Sequence, residues 1–322
     1  MHKEQLSVPE ILIHPHRKKT LNQQITETLQ QGMRRIYLEG EFCAPEPQFS
    51  FLSLNSPDLI EIIGNGHTVI NGEGQTAHLV FVGDQTKLKL SGIHFTGGNT
   101  QDLNTLQSLT NHPQQRLNIF RYLDGAAITM GMGSQLSLEN CVFSQNSSAI
   151  CGGAISNLGG HLHAYNCRFE SNTAGDTGAA IDNLAAGSLS IIDNCHFIHN
   201  EANQLGEGNS GAITAFPDTY LIVKDCDFFQ SCSPAVDYRP NAAGRIFTFV
   251  HRSTTLNKDP RLGVIKNPVS NASVKKEILR RYLQLLTTHP TLVKLQAIPK
   301  ASKNLAAQHW REYQQLIDEL TV

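Results

Sequence analysis

The sequence predicts an all-β fold, a right-handed parallel β-helix with an N-terminal cap helix and a C-terminal α-helical extension. Three observations predict it. A Cys-x-Phe-x-x-Asn element recurs as NCVFSQN (140–146), NCRFESN (166–172) and NCHFIHN (194–200), and more loosely as DCDFFQS (225–231). A Gly-Ala-Ile element interleaves with it as DGAAIT (124–129), GGAISN (152–157), GAAIDN (178–183) and GAITAF (211–216), with PAVDYR (234–239) as a weaker fifth copy. Between the two lies a short apolar run such as LSLEN or LSIIDN. The motif cysteines Cys141, Cys167, Cys195 and Cys226 stand 26, 28 and 31 residues apart, a period in the range of solenoids. Three short strands per period make one coil of a parallel β-helix.

The residue choices suit stacked coils. Neighbouring coils lie about 4.8 Å apart, so equivalent positions sit over one another along the axis. Cys and Phe, two apart on a strand, share the inward face, and the residue between them points outward. The cysteines therefore read as a column of small buried hydrophobes. Their parallel Cβ vectors are poorly aimed for disulfides. The terminal Asn is expected to bond its equivalents above and below and to take the left-handed backbone of a sharp corner. Gly-Ala pairs permit close coil contact and a tight bend.

Taken in order, residues 1–33 read as an N-terminal segment and cap helix, with TLNQQITETLQQG (20–32) showing helical apolar periodicity and closing on Gly32. A solenoid end exposes open strand edges and apolar interior, and this helix is the element expected to cover one end. Residues 34–265 form the solenoid. Its early coils are supplied by LIEIIGNGHTVINGEG (59–74), LVFVGDQ (79–85) and KLKLSGIHFTGGN (87–99), with Phe95 in register with Phe143. The interruption at 100–124 is expected to be a loop walling a binding groove. Residues 266–322 change character. Val274, Ile278, Tyr282, Leu285 and Leu286 form one helical stripe, and Ala306, Trp310, Tyr313, Ile317 and Leu320 form another. These helices are expected to cap the far end, with contact of their basic surface to an acidic partner, a membrane surface or nucleic acid as the alternative.

Composition narrows the class. At 322 residues and 40% hydrophobic content, the chain can bury a sizeable core. The net charge of −2 hides a split: residues 245–322 hold 13 Lys+Arg against 5 Asp+Glu, which leaves 13 against 23 for residues 1–244, so +8 and −10. Seven cysteines, an odd number, fit free thiols better than a closed disulfide framework. The start, MHKEQLSVPE, lacks the basic-then-apolar pattern of a secretory signal, and no apolar run reaches the roughly 18 residues of a membrane span. The expected location is cytoplasmic, or outside the cell by a non-classical route. No P-loop, dinucleotide fingerprint, paired CxxC or HExxH is present, and no aromatic or Gly pattern marks nucleic-acid binding.

The succession of cap helix, IIGNGHTVINGEG, LSGIHFTGGN and Asn-rich turns resembles the pectate lyase-like superfamily of right-handed parallel β-helices over roughly residues 20–265. The pairing of GGAI with FSQN, FESN and FIHN is also similar to the repeats of bacterial polymorphic outer-membrane proteins. The first resemblance implies a carbohydrate-active protein of hydrolase, lyase or epimerase type, binding an extended polysaccharide along outward-facing residues of neighbouring coils. The polygalacturonase signature of adjacent aspartates and a downstream Gly-His-Gly is missing, NGHT (65–68) being a partial echo.

Two columns carry candidate chemistry. The position after the Gly-Ala-Ile anchor reads Thr129, Ser156, Asp182, Thr214, Asp237, which puts Asp182 and Asp237 two coils apart, about 10 Å if strictly stacked. That lies just beyond the separation of the general acid and base of an inverting glycosidase. They are the catalytic candidates, with Tyr238 and Arg239 beside the second carboxylate to bind substrate, Arg239 suiting an acidic sugar. The position between Cys and Phe reads His94, Val142, Arg168, His196, Asp227, so Arg168, His196 and Asp227 would line up on three consecutive coils as further substrate-binding residues or as a solvated ion-pair row. No cofactor is called for; calcium is the one metal the acidic positions leave open. The competing function is a non-catalytic scaffold that recognises a protein or glycan, as a bacterial effector does.

Overall fold

The computed structural model describes residues 10–101, 123–185, 187–202, 211–216, 219–229 and 231, together with the backbone of the strands Val236–Tyr238, Phe247–His251 and Thr254–Thr255. The chain winds as a parallel β-solenoid of about seven turns, the parallel β-helix expected from the repeat. The insertion at 102–122, Arg239 and the C-terminal region 266–322 lie outside the described residues.

Each coil contributes one strand to each of three parallel sheets. The first sheet stacks Ile128–Met130, Ile155–Asn157, Ile181–Asn183, Ile213–Ala215 and Val236–Tyr238 in register, isoleucine over isoleucine until Val236. The second stacks Gln135–Glu139, His161–Tyr165, Leu189–Asp193, Tyr220–Lys224 and Phe247–His251. The third stacks Val142–Ser144, Arg168–Glu170, His196–Ile198, Asp227–Phe229 and Thr254–Thr255. On the N-terminal side, the long strands Leu59–Val82 and Lys87–Gly98 bend from sheet to sheet without a break.

Ladders of identical side chains hold the interior. Phe95, Phe143, Phe169, Phe197 and Phe228 stack with ring centroids 4.7–5.1 Å apart and planes within 12° of parallel, all fully buried. That spacing matches the coil rise of about 4.8 Å. The motif cysteines lie one above another: the Cys167 amide donates to Cys195 Sγ and the Cys195 amide to Cys226 Sγ, both at 3.4 Å. All six described cysteines are free thiols.

The corners refine the expectation for asparagine. Asn146 Nδ2 donates to Asn172 Oδ1 at 3.0 Å and Asn172 Nδ2 to Asn200 Oδ1 at 2.9 Å, so the terminal asparagines do form a buried ladder. The left-handed residues are their neighbours: Gln145, Ser171 and His199 at φ of 52–54°, and the leading Asn140, Asn166, Asn194 and Asp225 at 51–54°. The leading asparagines form a second, exposed ladder through Asn166 Nδ2 to Asn140 Oδ1 at 2.6 Å and Asn194 Nδ2 to Asn166 Oδ1 at 3.1 Å. One motif thus makes two corners, a residue with φ > 0 at each.

The N-terminal helix, Leu21–Gln30, opens with a capping box: the Thr20 hydroxyl accepts from the Gln23 amide, and the Gln23 side chain accepts from the Thr20 amide. It buries Leu21 and Ile25 against the first coils, and Asn22 Oδ1 accepts from the Ser53 amide at 2.9 Å. Strand Glu10–Ile13, not expected from the repeat, pairs with Arg35–Leu38 and extends the second sheet by one strand. Among the described residues, no helix is long and apolar enough to cross a membrane.

Candidate functional site

The first-sheet column has the expected register, Thr129 over Ser156 over Asp182 over Thr214 over Asp237. Its exposure is the reverse of what was expected. Thr129, Ser156, Asp182 and Thr214 are each at most 1% exposed. The turn entering each strand folds back over the column: a Cβ on Gly152 would collide with Asp182 Oδ1, and one on Gly178 would lie 2.8 Å from Asp182 Cβ. Glycine is the residue that permits this cover, and it stands there with φ of 62° and 64°.

Under that cover Asp182 has a second carboxyl within electrostatic reach, and it is Asp124. Asp124 is also fully buried, and its Oδ1 accepts from the Cys151 amide at 2.8 Å. Burial pushes the Asp182 pKa up to about 8. Burial, then the charge of Asp182, holds Asp124 well above the usual carboxylate range. The Ser156 hydroxyl acts against that burial and favours ionisation, though neither Asp182 oxygen completes a hydrogen bond with it. Both groups therefore stand as neutral acids at neutral pH, walled off from any extended ligand. Asp237 occupies its register position two coils from Asp182; its side chain and that of Tyr238 are outside what the structure describes, as is Arg239. The sequence reading missed Asp124, although its place at the head of DGAAIT, one period before Cys151, marks it as a member of the covering turns.

The third sheet presents an open face. Its outward column runs Glu41, Val69, His94, Val142, Arg168, His196, Asp227 on successive coils, so the three substrate-binding candidates do stand in a row. Arg168 Nη2 meets Glu170 Oε2 at 2.8 Å on its own strand, and His196 Nδ1 meets Asp227 Oδ2 at 3.4 Å across coils. All four side chains are between 37% and 51% exposed, so these are screened surface pairs.

N-terminal to that row, the same face hollows into a groove of about 730 Å³. Glu41, Asn71, Glu73, His94, Ser144 and Glu170 supply its polar lining, over five coils or roughly 20 Å of axis. The lining is pre-arranged: Asn71 Nδ2 donates to Glu73 Oε1 at 2.7 Å, and His94 Nε2 and Ser144 Oγ are 2.7 Å apart. Burial lowers the His94 pKa despite the opposing charge of Glu170, so the ring is neutral at pH 7. Beside the groove, desolvation followed by the hydrogen bond to Glu73 pushes the Cys43 thiol up to about 11, which leaves it a poor nucleophile at neutral pH. The lining contains three carboxylates and no Lys or Arg. Among the described residues, no cluster of three or more His, Cys, Asp or Glu could hold a metal ion.

Compared with known proteins, the chain matches no family model, no curated protein and no solved structure.

Proposed function

We propose that this β-helix is a non-catalytic recognition module that binds a neutral, hydroxyl-rich glycan along the third-sheet groove. The observation that carries this reading is the contrast between the two candidate sites. Asp182, the acid of the hydrolytic reading, is buried under the covering turns, whereas the groove is open and lined by preset hydrogen-bonding groups. Carboxylates, an amide and hydroxyls suit sugar hydroxyls, which both donate and accept. The electrostatics select within that class. Glu41, Glu73 and Glu170 repel a uronate polymer, and Arg168, the cation nearest to them in the column, is already paired with Glu170. An acidic polysaccharide, the substrate first suggested by Arg239, is thus disfavoured at this groove.

The test is a glycan array spanning neutral and uronic acid polymers, run beside a reducing-sugar release assay. The wild type is expected to bind neutral glycans and release no reducing ends. Glu73→Gln with Glu170→Gln is expected to weaken binding about tenfold, or about 1.4 kcal/mol. Release of reducing ends that Asp182→Ser abolishes would restore the hydrolytic reading. Failure to bind any glycan would leave the protein-recognition reading.

A further inference from the structure

The chain holds two Asn-Gly pairs, Asn65-Gly66 and Asn71-Gly72, both on one early coil. Both fall where that coil outgrows its neighbour. In the pairing of Leu59–Val82 with Lys87–Gly98, Ile63 faces Ser91 and Thr68 faces Ile93, so residues 64–67 stand against Gly92 alone. Asn71 then faces Thr96 and Thr76 faces Gly98, so residues 72–75 stand against Gly97 alone. The surplus residues leave the ladder and bulge from the coil.

An Asn-Gly pair carries a reaction of its own. The glycine amide nitrogen lies one five-membered ring closure from the asparagine Cγ, and the missing Cβ leaves its approach open. The two bulges treat this reaction differently. Asn65, Gly66 and His67 are all exposed. Gly66 stands at φ of 84°, and a Cβ there would meet no atom within 4 Å beyond its chain neighbours. Asn65 Oδ1 accepts from the His67 amide at 2.9 Å, which draws electron density from Cγ and holds the side chain over the backbone that attacks it. In the second bulge Asn71 Oδ1 accepts from the Glu73 amide at the same 2.9 Å. Gly72, however, is buried, and a Cβ there would lie 2.5 Å from the Gly97 carbonyl oxygen and 2.7 Å from Leu79 Cδ2. Asn71 Nδ2 is also held by Glu73 Oε1 at 2.7 Å. Ring closure requires the glycine nitrogen to swing toward Cγ. Gly66 has the room for that movement and Gly72 does not.

We propose that Asn65-Gly66 is a self-modification site, converting to aspartate and isoaspartate in the folded protein while Asn71-Gly72 is protected. The Gly66 amide nitrogen bonds to Asn65 Cγ, the Cγ–Nδ2 bond breaks, and the side-chain nitrogen leaves as ammonia with the proton of the Gly66 amide. Solvent water then opens the cyclic imide at either carbonyl, giving aspartate or isoaspartate without any change of oxidation state. Isoaspartate lengthens the backbone by one carbon, which a bulge outside the ladder can absorb. Either product adds a negative charge at the corner from which residues 69–71 depart to line the third-sheet groove.

The experiment ages the full chain in mildly alkaline buffer made with heavy-oxygen water. Peptides are then sequenced by mass spectrometry, and labelling by isoaspartyl methyltransferase separates isoaspartate from aspartate. Conversion with uptake of solvent oxygen is expected at Asn65 roughly tenfold faster than at Asn71, or more. In urea the two sites are expected to convert at similar rates, because the packing around Gly72 is gone. An intact Asn65, equal rates at the two sites in the folded protein, or the same preference for Asn65 in urea would overturn the inference. Gly66→Ala is expected to slow conversion at Asn65 about tenfold and leave the far-ultraviolet circular dichroism unchanged; a variant that converts as fast as the wild type would overturn the inference independently.

Discussion

Asp182 stands, fully buried, at a register position held on other described coils by Thr129, Ser156 and Thr214. Its pKa, raised from the ordinary 3.8 to about 8, means that the folded state binds this proton more tightly than the unfolded state. The contribution is therefore fully present below about pH 4 and is lost as pH rises through about 8. Asp182→Ser, which restores the hydroxyl of its neighbours, is expected to flatten the fall in Tm between those limits and to exceed the wild type at pH 8 by a few kcal/mol, read by thermal unfolding across pH. Phe169 gives the opposite case. It is stacked on Phe143 and Phe197 at 4.9 Å on both sides, so Phe169→Ala is expected to cost roughly 3 to 5 kcal/mol in denaturant unfolding. The phenylalanine ladder was legible because an inward residue type repeats only when it meets its own copies. The burial of Asp182 was not, since strand alternation alone puts it outside, and the turn that covers it is a neighbour through tertiary folding.

At the scale of elements, the N-terminal helix shows how far local rules reach. Thr20 and Gln23 form a reciprocal capping box, and Gly32 follows the helix with φ of 83°. Thr20→Ala is expected to lower stability by about 1 kcal/mol, and native-state hydrogen exchange should localise the loss to the helix and the strand Gln48–Leu54 that it touches. The corners were legible in part. Asparagine was read correctly as a ladder residue, but the positive-φ positions fell one residue before it and at the head of the motif. Sequence shows that a turn must occur between Phe and the next strand. Which residue takes the strained dihedral depends on how the two asparagine ladders align across coils.

For the whole molecule, repetition and charge act together. Each coil touches its neighbours, so stability accumulates along the axis in nearest-neighbour steps. The groove is bordered by carboxylates, and the proposed ligand is uncharged. Binding is accordingly expected to be nearly unchanged between about 50 and 500 mM salt, where a polycationic ligand would lose affinity steeply; titration calorimetry at both ends of the range checks this. The sequence by itself determined the β-helix, the inward columns of Phe and Cys, the cap helix, and the row of Arg168, His196 and Asp227, because each follows from a period and the alternation of a strand. Only the tertiary structure decided which outward columns meet solvent. It buried Asp182 beside Asp124 and opened the groove over five coils of the third sheet, because exposure depends on what folds back over a coil, and that information is spread across distant segments of the chain.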